Sequence, residues 1–267
     1  MKVCFILERG TPPRENPVYK ALYALLEARG ISVERLYPEE DLVRLDQLGA
    51  RPFADLYLLK SDTELALSLG TALEGMGARV VNRIDACMRA KDKVVAAAVL
   101  ENAGIAAPRA WVASRPSALA PAFAGGGLIL KAHRGYHGAG LAIAERRTAL
   151  PADSAYPDGV FAQSYLRDAG LDLKVFGIGP QVFGVRKPFA AGSFTQAGEP
   201  VALAPEVAQL ASRCRAAFGL DLYGIDIAEC ADGPRVIDVN YFPGYRGVPG
   251  AAAHLWQYIL ETSGTAP

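Results

Sequence analysis

Apolar positions along the first third of the chain fall into two alternating rhythms. Short apolar runs at Val3–Leu7, Ile31–Leu36, Asp55–Leu59 and Arg79–Val81 predict strands. Between them, Pro17–Arg29 and Asp62–Gly75 carry apolar residues at helical spacing, and Gly30 supplies a stop after the first. Strands that alternate with helices predict parallel pairing in an open α/β sheet, complete near Asn82. Ligands of such sheets bind at the carboxyl ends of strands. Glu8-Arg9-Gly10 and Lys60-Ser61-Asp62 lie at two such ends, as substrate contacts or as ordinary polar strand exits.

The rhythm then changes. Asp85–Ala103 predicts one helix with Met88, Val94, Val95, Val99 and Leu100 on its apolar face. Strands follow at Arg109–Val112, Leu128–Lys131, Leu141–Ala144 and Val160–Tyr165. Leu171–Ile178 and Gln181–Arg186 flank Gly179-Pro180 and read as a hairpin. Pro188–Pro200 reads as a long loop and Pro205–Phe218 as a helix stopped by Gly219. A second hairpin pairs Leu222–Ile227 with Pro234–Val239, and a helix closes the chain from about Ala251 to Leu260. The pattern predicts an α/β and α+β protein in three units: residues 1–84, 85–160 and 161–267.

Composition narrows the function. The chain has 267 residues, 28 basic and 28 acidic, so a nucleic-acid-binding surface is not expected. No apolar run approaches the roughly 18 residues of a membrane span, and the N-terminus reads as a strand, not a signal peptide. Four cysteines without C-x-x-C spacing read as buried thiols of a cytoplasmic protein. The three histidines have no zinc-type spacing.

The second hairpin concentrates the chemistry. Asp226 ends one strand, and Asp238 and Asn240, two apart, project from one face of the other. Two carboxylates and an amide oxygen suit Mg²⁺, though solvated strand-end acids would give the same pattern. The Gly/Pro-punctuated loop Asn240–Gly250 that follows favours a binding site. Upstream, Lys131 ends a strand and is followed by Gly135, Gly138 and Gly140. Backbone amides of such a loop can surround phosphate oxygens. The spacing of a P-loop is absent.

A strand ending in Asp226, a second ending Asp238-Val-Asn240, and the loop Pro243-Gly-Tyr-Arg-Gly-Val resemble the metal-binding end of the ATP-grasp superfamily. With Lys93 and Lys131 in order upstream, the resemblance runs from about Met1 to His254. It implies ATP held between two α+β subdomains, with Lys93, Lys131 and the glycine loop at the phosphates. It further implies Gln163, Tyr165 and Leu166 at adenine, Asp172 near the ribose, and Lys174 among the ATP-binding residues. Asp226, Asp238 and Asn240 would hold one or two Mg²⁺ ions, for which Mn²⁺ could substitute. Arg186 would face the transferred phosphoryl group or the acceptor, and Lys60 the substrate. Arg246 would meet an anionic substrate or stand as an exposed arginine.

Two subfamilies share these features. Arg89–Lys93 and the Lys131–Gly140 loop are similar to RimK-type carboxylate–amine ligases. Leu59–Asp62, Leu222–Asp226 and Asp238–Tyr245 are similar to ATP-grasp inositol polyphosphate kinases. A ligase is expected first, acting on a small-molecule or peptide carboxylate and an amine, with Arg186 and Lys131 catalytic. A polyol kinase using His137, and a non-catalytic nucleotide-binding protein, are the alternatives. Oligomerisation is compatible with either.

Overall fold

The computed structural model describes residues 1–8, 16–48, 54–133, 140–166, 172–187 and 197–264. The N-terminal unit runs β1 (Lys2–Ile6), α1 (Pro17–Glu27), β2 (Ser32–Leu36), α2 (Leu45–Leu48), β3 (Leu56–Leu59), α3 (Glu64–Gly75) and β4 (Val80–Val81). Its four strands are parallel, in the order β2-β1-β3-β4. Asn16 caps α1 through its side chain and Thr63 caps α3, so both helices start where a short polar side chain can accept a backbone N–H.

The single helix expected over Asp85–Ala103 is two helices, α4 (Ile84–Lys91) and α5 (Lys93–Asn102). Asp92 breaks it. Its backbone is extended, and its carboxylate accepts from the N–H groups of Val94 and Val95, which caps α5. Apolar periodicity alone does not reveal such a cap, because the pattern continues across it.

A second sheet contains β5 (Ala110–Ala113), β6 (Leu128–Ala132), β7 (Ala142–Ala144) and β8 (Val160–Ser164), in the order β5-β8-β6-β7 and fully antiparallel. A 3-10 stretch over Pro116–Gly125, not anticipated from the sequence, packs Leu119 and Ala122 beneath it. The third sheet is antiparallel in the order β11-β10-β9-β12-β13. It comprises β9 (Asp172–Ile178), β10 (Gln181–Lys187), β11 (Glu199–Val201), β12 (Leu222–Cys230) and β13 (Gly233–Tyr241), with α6 (Pro205–Phe218) and α7 (Ala251–Ser263). Strand β11 lies partly within the span expected to be loop; it pairs with β10 through Glu199, Pro200 and Val201. No helix among the described residues is long and apolar enough to cross a membrane.

Core packing redraws the three expected units. One apolar core takes in the N-terminal sheet, α4 and α5, and the third sheet together, from Val3 through Ile259. The second sheet has its own small core, including Leu128, Leu130, Val160 and Ala162. Strand β8 belongs to that sheet, so the boundary expected at residue 160 falls at the start of one of its strands. The two outer units are stapled by polar contacts. The Asn82 side chain accepts from the N–H groups of Asp221 and Leu222 and donates to the Leu222 carbonyl. Tyr241 donates to the Ser61 carbonyl, and Tyr19 to the Pro243 carbonyl. Each fully buried Leu or Phe in the shared core, such as Leu22, Leu26 or Phe218, contributes about 1.5–3 kcal/mol.

Candidate active site

The site begins with the register of the third sheet. Val185, Lys174, Asp226 and Asp238 form one cross-strand row. Paired residues in such a row project from the same face, and so do residues two apart on a strand. Lys187 and Asn240 therefore join that face. The ladder shifts between Asp226 and Ile227, which leaves Ile237 of β13 without a partner on β12. A bulge of this kind re-aims neighbouring groups. Here the Ile237 carbonyl meets the Lys131 ammonium at 3.5 Å, while Lys131 also donates to Gln163 Oε1 at 2.9 Å.

Lys131 thus spans the gap between the second sheet and the third. Burial pulls its ammonium below the usual lysine range, Asp238 raises it, and Lys93 lowers it further. The helix break at Asp92 explains how Lys93 arrives there. It is the first residue of α5, and its N–H donates to the His133 carbonyl at 3.0 Å, just beyond β6. A cleft of about 1290 Å³ is lined by Lys93, Lys131, Gln163, Tyr165, Leu166 and Asp238, among others. That exceeds the ~300–1,000 Å³ of a drug-sized ligand site. Gln163 is 7% exposed, and the Tyr165 N–H is held by the Gly127 carbonyl.

The metal-type residues come together as expected. Asp226 and Asp238 are direct partners across β12 and β13, and the Asn240 amide lies 3.4 Å from Asp238 Oδ2. Lys174 holds Asp226 Oδ1 at 2.7 Å. Adjacent carboxylates of this kind are stabilised by a cation between them. Among the described residues no group of three His, Cys, Asp or Glu side chains could hold a metal. A divalent ion here would be held by Asp226, Asp238 and Asn240, hard oxygen donors of the kind that Mg²⁺ takes.

Arg186 is not brought to this face. Its register partner on β9 is Leu173, which in turn pairs with Ile227 and belongs to the opposite side, and its guanidinium pairs with Glu229 at 2.5 and 3.0 Å. Lys187 occupies the position expected of it. That side chain is 4% exposed, and its ammonium is lowered by burial and by Lys174, with Arg246 adding to the effect and Asp226 opposing it. The sequence held the signal. A two-residue Gly179-Pro180 turn pairs residue 178 with 181, and counting back pairs Asp172 with Lys187 and Lys174 with Val185.

Arg246 sits on a loop with fixed shape. Phe242 and Tyr245 have positive φ, 38° and 52°, a costly backbone for non-glycine residues. Both rings are fully buried, and Tyr245 donates to the Gly177 carbonyl at 3.0 Å. Gly247 has φ 92°, and a Cβ there would fall 2.7 Å from the Gly198 carbonyl oxygen. Lys60 stands apart, at the carboxyl end of β3. Of the glycine loop, Gly140 is placed with φ 71° and its carbonyl on the Tyr156 hydroxyl. Gly135, Gly138 and His137 lie outside the described residues, as does the Asp172 side chain.

A family model for the RimK-like ATP-grasp domain matches residues 90–253. A probable alpha-L-glutamate ligase of Shewanella amazonensis is 31% identical over 193 residues, 67% of this chain. The chain spans 64% of the length of that relative. Among solved structures, a RimK domain ATP-grasp protein of Sphaerobacter thermophilus superposes with a TM-score of 0.76 at 20% identity, covering 97% of this chain and 100% of that one. The ATP-grasp ligase PsnB, in complex with a variant precursor, Mg and ADP, gives 0.71 at 22% identity over 97% and 98%.

Proposed function

We propose, since the chain belongs to the RimK-like ATP-grasp family, that it is an ATP-dependent carboxylate–amine ligase. In this reading the γ-phosphate of ATP passes to a substrate carboxylate, and an amine captures the acyl phosphate. The observation that carries it is the convergence on one face of Asp226, Asp238 and Asn240 with Lys174 and Lys187, opposite Lys131. Phosphoryl transfer asks a protein mainly to position groups and neutralise charge, and this face offers both signs. The kinase alternative has no comparable support, because the curated relative is named as a ligase.

Lys93 and Lys131 hold the phosphates. Gln163, Tyr165 and Leu166 meet the adenine. Asp226, Asp238 and Asn240 would hold one or two Mg²⁺ ions, which would supply positive charge against that developing on the transferred group. The PsnB complex with Mg and ADP supports that choice of cofactors. Lys187 and Arg246 orient the carboxylate. Hydroxylamine tests the reading by trapping acyl phosphate as a hydroxamate. Hydroxamate and ADP should appear together when Mg-ATP and a panel of amino acids and short peptides are supplied. A phosphorylated polyol with no hydroxamate from any acid would overturn it.

A further inference from the structure

Residues 242–247 carry Arg246, and the first turn of α1 holds them. Pro17 opens that helix, and a residue before proline is kept extended; Asn16 has φ −85° and ψ 116°. From that backbone the Asn16 amide makes two bonds of opposite kind. Its Oδ1 accepts from the Val18 N–H at 3.0 Å and caps the helix, while its Nδ2 donates to the Gly244 carbonyl at 2.9 Å. Three residues on, the Tyr19 hydroxyl donates to the adjoining Pro243 carbonyl at 2.6 Å. One turn of helix thus grips two successive carbonyls of the loop. Gly244 admits the approach, because a Cβ there would fall 3.0 Å from Asn16 Nδ2.

The residue type carries information. A cap needs only a side-chain oxygen, which Ser, Thr, Asp and Asn all supply. Asn adds a donor on a separate atom, and Asp, of the same shape, has none. The loop also needs holding. Phe242 and Tyr245 take positive φ, which persists in non-glycine residues only where surrounding contacts over-determine it. The Phe242 ring meets Tyr19 edge-on, centroids 5.7 Å apart. Arg246 follows Tyr245 directly. Burial holds the Tyr19 hydroxyl above the usual tyrosine range and the Lys187 ammonium below the usual lysine range, and the charge of Arg246 lowers both. Arg246 therefore bears on α1 and on the cleft face alike.

We propose that Asn16 is a positioning residue for the reaction: through the Gly244 carbonyl it fixes the loop that presents Arg246 to the substrate carboxylate. This rests on the ligase reading. The effect passes through the loop, so it belongs to the affinity for the acid and not to that for ATP.

Asn16→Asp isolates the role, because it keeps the cap oxygen and the shape but sets an acceptor against the Gly244 carbonyl. In the hydroxamate assay, with the acid most active on wild type, Asn16→Asp should raise the KM for that acid about tenfold and leave the KM for ATP unchanged. Hydrogen exchange in peptides covering residues 242–250 should quicken in the same variant. Tyr19→Phe should move both readouts in the same direction. Asn16→Ala, which loses the cap as well, should add a fall in Tm that Asn16→Asp does not show. Mg-AMPPNP binding by each variant shows that it is folded. A wild-type KM for the acid in Asn16→Asp, or unchanged exchange over residues 242–250, overturns the proposal and leaves the ligase reading standing. Absence of hydroxamate from wild type with every acid overturns the ligase reading, and the carboxylate role of the loop with it.

Discussion

Asp226 and Asp238 stand directly opposite each other on β12 and β13, and among the described residues only Asp226 has a lysine bonded to it. The pair is thus asymmetric. Asp226 is paired with Lys174, and the proposed role of Asp238 is to meet the metal of the bound nucleotide. Asp238→Asn should lower kcat by about 10²–10³, the usual loss on removing one preorganised electrostatic group. The Kd for ATP should change far less. Equal effects on Kd and on the rate, from calorimetry and steady-state kinetics, would mean that Asp238 serves binding alone.

Lys187 should carry the role that the sequence alone suggests for Arg186. Lys187→Met removes a buried cation from the cleft face and should cut kcat/KM by about a hundredfold or more. Arg186→Ala removes a partly exposed ion pair with Glu229, so it should cost at most about 1 kcal/mol of stability and leave turnover near wild type. A crippled Arg186→Ala beside an active Lys187→Met would reverse the assignment.

Legibility followed the range of the interactions. The strand-end acids, Lys131 and most element positions were read from local alternation, because a two-residue period fixes which side chains share a face. Arg186 was weighed by its type before its register, which places it on the face of Glu229 and not on that of Asp238. Lys187 stands directly opposite Asp172, already noted with Lys174, once the hairpin is counted out. The shared core of the N-terminal unit and the third sheet was not legible. It depends on contacts such as Asn82 to Leu222, which join positions far apart in the chain and leave no local period. Nor was the break at Asp92, where the aspartate could equally have faced solvent in a continuous helix.

That break has its own consequence. Asp92 caps α5 and so fixes the backbone of Lys93 against His133. Asp92→Ala should cost about 1 kcal/mol of stability, lowering Tm by about 2–4 °C. It should also weaken ATP binding severalfold, because Lys93 loses its fixed origin. Asp92→Asn preserves the cap and should stay near wild type in both measurements. If Asp92→Ala loses stability with ATP affinity unchanged, the cap does not aim the lysine.

Cysteine chemistry offers a direct map of the cleft. Cys4, Cys87 and Cys214 are buried, and burial pushes the Cys4 and Cys214 thiols up to about 12 and raises Cys87 as well. At pH 8 a thiol of that kind is ionised roughly one part in ten thousand, so alkylation, which needs the thiolate, is slow. Cys230 differs: it is partly exposed and lines the cleft beside Asp232 and Arg235, at the turn of the β12–β13 hairpin. Iodoacetamide at pH 8 should therefore give a single adduct, at Cys230, identifiable by peptide mass spectrometry. Mg-AMPPNP should slow that labelling by covering the cleft, and Cys230→Ser should abolish it. Raising the pH towards 12 ionises the buried thiols but leaves them enclosed, so their labelling should report unfolding and not titration alone. Labelling of Cys230 at the same rate with and without saturating nucleotide would place the nucleotide away from the hairpin and remove the basis for assigning Lys131 to its phosphates and Asp238 to its metal.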